Sequence, residues 1–391
     1  MRRILLVTGL ILLSLSSYSR NLRIAFVGDP QVDNAVELDY ARRSIYSELM
    51  KRKDLDMILF LGDLVNDDAS LLEPSRSLLD SLPCPWFSVP GNHDRDRYKE
   101  KGRIRDLRTW KSVIGAEDTT FVRNGVRFIL MNNVRDVGKG NYEGGFREEQ
   151  KHYLDSVISA TPIRSKVILA AHIPFIHMEG KDTLGKILGK HPSVFLISGH
   201  THTVRRGKTN LGDISFEELT AGAACGTWWR GAKDEFGIPY ALQNCGSPRG
   251  YFVADIKPKK IRLTYKAVQR EDLASAFISR NDDGSSCLYI NVYGGGLEGN
   301  LSVNLPGVGK TKMLLSADVA PEVLKVIDLN RSMSKEERKK KRSELIPLRK
   351  LSSPHLWSLE IPEGVLLRDK LRITYSDPMM KFKSELPVRS M

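Results

Sequence analysis

The chain is 391 residues long, with 60 Lys and Arg against 47 Asp and Glu, for a formal charge of +13 at pH 7. Its 41% hydrophobic and 27% charged residues exclude a disordered chain, a collagen-like repeat and a disulfide-dense miniprotein. The length suits two or three domains with a large core, and the positive excess suits an anionic partner such as nucleic acid, a phosphate ester or a lipid surface.

The N-terminus has the three parts of a secretory signal. Arg2 and Arg3 precede an apolar stretch over residues 4–15, and Ser17 and Ser19 offer small residues for cleavage. The stretch is short for a membrane span, and no second one stands out, so a multi-span membrane protein is excluded. We therefore expect residues 1–19 to be removed and the mature protein to be periplasmic or extracellular, not an integral membrane protein. That setting permits disulfides. Among Cys84, Cys225, Cys245 and Cys287 the expected pair is Cys225 with Cys245, which share one Gly-rich segment. Cys84, at the head of an apolar strand, reads as a small core residue. The absence of C-x-x-C spacing argues against a cysteine zinc site.

After the signal, short apolar runs alternate with helical patterns, which predicts α/β architecture. Residues 23–27, 57–61, 86–89, 128–131, 167–170 and 194–197 read as strands buried on both faces. Leu38, Ala41, Ile45 and Leu49 recur at helical spacing, as do Tyr153, Leu154, Val157 and Ile158; Glu148, Glu149 and Gln150 open the second of these helices. Leucines between Leu71 and Leu82 suggest a further helix, interrupted near Pro74. Residues 203–250 read as Gly-rich, aromatic-bearing loop with one strand at 214–219, and residues 251–256 and 261–266 as alternating strands joined by a basic turn.

Beyond Gln269 the texture changes. Residues 288–293, 301–305, 312–317, 357–361 and 371–375 are spaced strands with Gly, Asn and Pro turns, the pattern of a small β-sandwich or barrel. One helix interrupts them at 334–345, with Ser334 and Glu337 placed as a capping box. Between Arg331 and Arg342 seven basic residues stand against two acidic ones. With no aromatic side chains interleaved to stack bases, this run reads as a solvated face and argues against nucleic acid. We divide the chain into a signal (1–19), an α/β domain (20–266) and a C-terminal β-sandwich-like domain (267–391).

The chemistry lies at strand ends. Val27-Gly28 leads into Asp29-Pro30-Gln31, Leu61-Gly62 into Asp63, Val89-Pro90 into Gly91-Asn92-His93-Asp94, Ala170-Ala171 into His172, and Ile197-Ser198 into Gly199-His200-Thr201-His202. Open α/β sheets bind ligands outside the carboxyl ends of their strands, so these polar residues can converge on one crevice. The glycines permit sharp exits and close approach. His200 and His202, two apart, project from the same face if the backbone there is extended. Any one of these motifs alone is a plain turn more often than a site; five in this order are not.

The ordered set D-x-[HQ], G-D-x-x-[ND], G-N-H-D, strand-end His and G-H-x-H resembles the calcineurin-like metallophosphoesterase superfamily, over roughly residues 23–266. The string GAACGTWWRGAKDEFGIPYALQNCGSPRGY also resembles an exported bacterial subgroup with an additional C-terminal domain. The resemblance implies a calcineurin-like phosphoesterase sandwich with Asp29, Gln31, Asp63 and His202 as ligands of one metal. Asp63, Asn92, His172 and His200 would hold a second, with Asp63 bridging. The cofactors implied are two divalent or transition metal ions, manganese, iron or zinc. A hydroxide between them would attack phosphorus in line, with His93 as proton donor to the leaving oxygen or stabiliser of phosphoryl charge. Either Asp94 or Asn66 would orient the His93 ring. Gln31 stands where the superfamily more often has His, which implies weaker binding and a harder ion at that site.

The function so implied is exported hydrolysis of phosphate mono- or diesters. Two alternatives compete: a metal-dependent nuclease of the same superfamily, and a glycan- or cell-surface-binding protein with a vestigial metal site. The C-terminal domain can contact glycan or cell envelope in either kind of protein. His177 is a candidate phosphate contact, and Trp228, Trp229 and Arg230 are candidate pocket walls, with core packing the other reading of the tryptophans.

Overall fold

Ile24 and Phe26 point to one side of their strand, Ala25 and Val27 to the other, and all four are fully buried. Such a strand needs a layer on each face. The computed structural model describes residues 21–96, 106–138, 140–257, 260–280, 284–367 and 370–391. The expected signal, residues 1–19, lies outside the described residues.

Two sheets make the first layer pair. The first runs in the order Lys260–Ala267, Gly250–Lys257, Leu22–Val27, Met57–Phe60, Trp86–Ser88. Its last three strands are parallel, with Ile24 opposite Met57 and Ile58 opposite Trp86. The second runs Val204–Leu211, Ile214–Ala221, Val194–Ser198, Lys166–Ala170, Val126–Leu130, Thr119–Arg123. Its four central strands are parallel and its two edges antiparallel. Phe26, Leu59, Phe128, Ile168 and Ile197 meet in the core between the sheets. The outer face of the first sheet packs on the helical segments 35–51 and 72–80, through Ile45, Leu49, Leu72 and Leu79. Helices Glu148–Ala160 and Lys181–Leu188 cover the second sheet through Leu154, Ile158, Leu184 and Leu188.

An eight-stranded sheet follows, in the order Gly309–Lys312, Asn300–Leu305, Lys370–Ser376, Lys381–Ser390, Ala274–Arg280, Ser286–Val292, Leu356–Ile361, Leu314–Leu315. The chain is therefore an α/β sandwich followed by a mostly β domain. Its buried residues Leu288, Ile290, Val303, Ile373 and Tyr375 join the same continuous core as Phe26 and Ile168.

Several expectations need correction. Pro74 interrupts nothing: the helix Leu72–Asp80 places it in the first turn, where a missing backbone N–H costs no helical bond. The C-terminal region holds a helix, Pro321–Ser332, that its sequence did not announce, and the expected helix 334–345 is confined to Lys335–Lys340, with both halves of the Ser334–Glu337 capping box formed. The run at 312–317 splits into two short strands. All four cysteines are free. Cys225 packs with Ala223 and Trp229, whereas Cys245 packs with Val204 and Tyr265 in the inter-sheet core, so the two thiols serve different clusters. Among the described residues no helix is long and apolar enough to cross a membrane.

Candidate metal centre

Six polar residues here take a backbone conformation that L side chains seldom adopt. Asp29 (φ 38°), Gln31 (φ 41°), Asp63 (φ 48°), Asp67 (φ 66°), His200 (φ 74°) and His202 (φ 50°) all lie in the left-handed region. Each such residue costs about 1–3 kcal/mol, and clusters of them mark functional sites. His200 and His202 therefore do not project from extended backbone as expected. They sit in the turn between Val194–Ser198 and Val204–Leu211, and that turn brings both rings to one cavity.

The strand ends converge as the motifs imply. His172 Nε2 lies 3.2 Å from Asp63 Oδ2, 3.1 Å from Asn92 Oδ1 and 3.1 Å from His200 Nδ1. Its Nδ1 donates to Leu61 O at 2.8 Å, which aims Nε2 at the cluster. His202 is set in the same way, with Nδ1 donating to Thr227 O at 2.8 Å. Asp29 accepts the His200 backbone N–H at 3.0 Å, and Asp63 Oδ1 accepts the His93 N–H at 2.8 Å. Two glycines make room: a Cβ at Gly91 would lie 2.0 Å from Asp63 Oδ1, and one at Gly62 (φ +93°) 2.5 Å from His172 Nδ1. Asp63, His172 and His200 offer ligand atoms that all lie within 4.8 Å of one another.

The electrostatics call for added positive charge. Asp29, Asp63 and Asp94 are buried together. Burial, reinforced by Asp63, pushes Asp29 well above the usual carboxylate range. Burial, again with Asp63 beside it, raises Asp94 to about 7. Burial also opposes charge on Asp63 and on His172, but their mutual attraction outweighs it, holding Asp63 low and raising His172 to about 9. Burial lowers His200 to about 3, helped by His172, and His202 to about 4. One imidazolium thus faces several buried carboxyl groups. Gln31 completes the argument: its Nε2 donates to Asn66 Oδ1 at 3.2 Å, and its buried Oε1 has no hydrogen-bond partner. A buried acceptor left bare beside carboxylates and neutral imidazoles fits a cation.

The structure corrects the expected surroundings of His93. Asp94 does not orient its ring, because both Asp94 oxygens accept backbone N–H groups, Val65 at 3.1 Å and Gly91 at 2.8 Å. Asp94 braces the turn that carries Asn92 and His93. Asn66 is spent on Gln31 and on Asp33 (3.1 Å). The ring's neighbour is Asp67, whose Oδ1 lies 3.0 Å from His93 Nδ1. Sequence reasoning missed Asp67; its only signal was its place directly after Asn66.

A cavity of about 810 Å³ opens over this cluster, with Gln31, Asp63, His93, His200 and His202 in its lining. His177 and Trp228 also line it. Trp229 does not; it is buried and donates Nε1–H to Pro30 O at 2.8 Å, fixing the first motif from behind. Tyr142, from the ribbon Val134–Gly138/Asn141–Gly144, stands edge-on to His200 with ring centroids 5.8 Å apart.

Carboxylates, amides and imidazoles gathered at strand ends beneath a cavity define an α/β protein with a candidate metal site. Two family models extend this. Calcineurin-like phosphoesterase matches residues 22–204, and the C terminal of calcineurin-like phosphoesterase matches residues 218–379. The chain belongs to the calcineurin-like phosphoesterases and carries their C-terminal domain. Among solved structures it is similar to the phosphopantetheinyl hydrolase from Mycobacterium tuberculosis, at 12% identity and a TM-score of 0.30 over 52% of this chain and 90% of that one. It is likewise similar to a metallophosphoesterase from Sphaerobacter thermophilus, at 14% identity and a TM-score of 0.30 over 62% of this chain and 87% of that one. No curated protein matches the sequence.

Proposed function

We propose that the protein is an exported phosphoesterase that hydrolyses phosphate mono- or diesters with two metal ions. The observation that carries this reading is the cluster of Asp29, Gln31, Asp63, Asn92, His172, His200 and His202, all but His200 buried, of which Gln31, Asp63, His200 and His202 line one cavity, with Gln31 Oε1 unpartnered. Asp29, Gln31, Asp63 and His202 would hold one ion, and Asp63, Asn92, His172 and His200 the other. The ions, manganese, iron or zinc, would neutralise phosphoryl charge and supply a nucleophile at neutral pH.

The chain's own groups do the rest. The bonds from His172 Nδ1 to Leu61 O and from His202 Nδ1 to Thr227 O fix the tautomers that leave Nε2 free for a ligand. Asp67 against Nδ1 of His93 leaves its other ring nitrogen to protonate the leaving oxygen. Trp228 packs edge-on to His93 at 6.5 Å between centroids and closes that side of the cavity. Export rests on the N-terminal pattern of Arg2, Arg3 and the apolar stretch after them.

The test is hydrolysis of bis-p-nitrophenyl phosphate by metal-reconstituted protein. Asp63→Asn and His200→Ala should each abolish it while leaving the circular dichroism spectrum unchanged. Full activity in both variants overturns the assignment.

A further inference from the structure

The cavity has a wall that the metal motifs do not supply. Residues Pro347, Arg349, Leu351 and Pro354, from the C-terminal domain, line it together with the motif residues. This segment is tied to the metal centre by a short relay. Asn244 donates its backbone N–H to His202 O at 3.0 Å, and its Oδ1 accepts the Arg349 backbone N–H at 3.0 Å. Ser353 N–H donates to Asp318 O at 2.9 Å and Asn330 Nδ2 to Ile346 O at 2.9 Å, which pin the segment at both ends.

The charge of the lining is one-sided. Asp63, which belongs to the metal cluster, is the one carboxylate among the described lining residues, whereas Arg205 and Arg349 both face the cavity. Arg205 is engaged on its own sheet, donating to Thr209 Oγ1 at 3.3 Å and to Lys208 O at 3.1 Å. Arg349 is held only through its backbone. Its side chain is exposed, and no hydrogen bond or ion pair engages its guanidinium among the described residues. A fixed backbone with an uncommitted guanidinium at a cavity wall is suited to binding an anion, in fork geometry. Apolar surface from Ile173, Ile176 and Leu351 lines the same space.

We propose that the substrate is a phosphoester bearing a second anionic group, carboxylate or phosphate, and that Arg349 binds that group. This rests on the phosphoesterase reading and names the substrate class of the same site. Asn244 is a positioning residue in it, since it sets where Arg349 leaves the chain.

The experiment uses the full chain reconstituted with Mn(II) and two p-nitrophenyl alkyl phosphates with the same leaving group. One alkyl arm ends in a carboxylate and the other in a methyl group, each prepared in graded lengths. At low salt the carboxylate ester should be preferred in kcat/KM by about tenfold at the best arm length, through KM, with the preference shrinking as ionic strength rises. Arg349→Ala should bring the ratio to near one, and Arg349→Lys should retain part of it. Because the Asn244 bond is to the backbone of Arg349, neither variant removes the anchor. A wild-type ratio near one at every arm length overturns the proposal. So does a ratio that survives Arg349→Ala, or an Arg349→Ala variant that slows both esters equally. If no form hydrolyses either diester or the monoester p-nitrophenyl phosphate, the phosphoesterase reading itself fails; hydrolysis of the monoester alone, or of the methyl ester with no preference, defeats only the second-anion proposal.

Discussion

The pair Arg206–Asp377 locks the edge strand Val204–Leu211 to the C-terminal sheet, and its two ends should not be equally costly to remove. Both side chains are buried, at 4% and 1% exposure. Arg206 makes a two-pronged contact with Asp377, one prong at 2.8 Å, and also donates to Gly294 O at 3.2 Å. Asp377 has further donors: Tyr375 OH at 2.6 Å, Met379 N at 2.7 Å and Met380 N at 2.8 Å. Deleting Arg206 leaves the carboxylate with three bonds. Deleting the carboxylate leaves a buried guanidinium with one carbonyl, removes the side-chain acceptor of the Met379 and Met380 N–H groups and leaves the Tyr375 hydroxyl only a long bond of 3.4 Å to Gly296 O. Asp377→Ala should therefore cost about 3–5 kcal/mol, the range for an uncompensated buried charge. Arg206→Met should cost about 1.5–3 kcal/mol, the range for lost charged hydrogen bonds. Burial alone would raise the Asp377 carboxyl, yet the bonds to Arg206 outweigh it and hold it below the usual range. Since the folded form binds its proton less tightly than the unfolded one, this stabilisation is complete above the unfolded carboxylate range. It is lost as pH falls through the lower folded value. Denaturant titrations of wild type and both variants, at neutral and acid pH, measure all of this. If Arg206→Met costs as much as Asp377→Ala, or if neither exceeds about 1 kcal/mol, the reasoning is refuted.

Two further outcomes follow from equally local geometry. Gly91→Ala would put a methyl group 2.0 Å from Asp63 Oδ1 and 2.4 Å from Asp63 N, neither of which can give way without moving the cluster. We expect lost metal by elemental analysis and a fall in kcat of about a hundredfold or more; normal metal content with normal turnover would contradict it. His355 is buried with Nδ1 2.7 Å from Asn291 Oδ1, and burial, with Arg206 nearby, lowers it to about 3. An unfolded histidine titrates near about 6.5, so its contribution is fully present above that pH. It is lost by up to about 1.4 kcal/mol per pH unit as the pH falls towards the folded value. His355→Gln should flatten this part of the stability profile, and an unchanged slope between neutral and acid pH would count against it.

What the sequence disclosed and what it concealed divide by the range of the interaction. The strands of the α/β sandwich were legible because both faces of each are buried, leaving uninterrupted apolar runs such as Val167–Leu169 between polar ends. Ala274–Arg280, although buried from Ala274 to Phe277, escaped notice because small Ala and Ser residues break its apolar run, and Lys381–Ser390 escaped for the opposite reason to the sandwich strands. The second alternates exposed Lys381, Lys383 and Glu385 with half-buried or buried Phe382 and Leu386, and carries Pro387 within the strand. Only its pairing with Lys370–Ser376 and Ala274–Arg280 makes that pattern a strand. The disulfide expectation failed because nearness in sequence says nothing about which core a thiol enters. Cys225 and Cys245, both fully buried, enter different ones.

The site divides the same way. Asp29, Gln31, Asp63, Asn92, His172, His200 and His202 each follow a strand end, often behind a glycine or proline, so a local signal marks each one even though the ring they form is long-range. The left-handed backbone of Asp29, Gln31, Asp63, His200 and His202 explains why these turns are so recognisable: the sharp exit from the sheet needs glycines such as Gly62 and Gly91 packed against the cluster itself. The partner of His93 carries no such mark, and Asp67 is identified only by its 3.0 Å approach. Arg349 is further still from being legible. Its anchor on Asn244 spans 105 positions, between a Gly-rich loop and an irregular stretch after a charged helix. Strand-end motifs can therefore mark a candidate metal site. The cavity above it is walled by residues of both regions, Pro347 and Arg349 among them, and that wall is visible only in the folded chain.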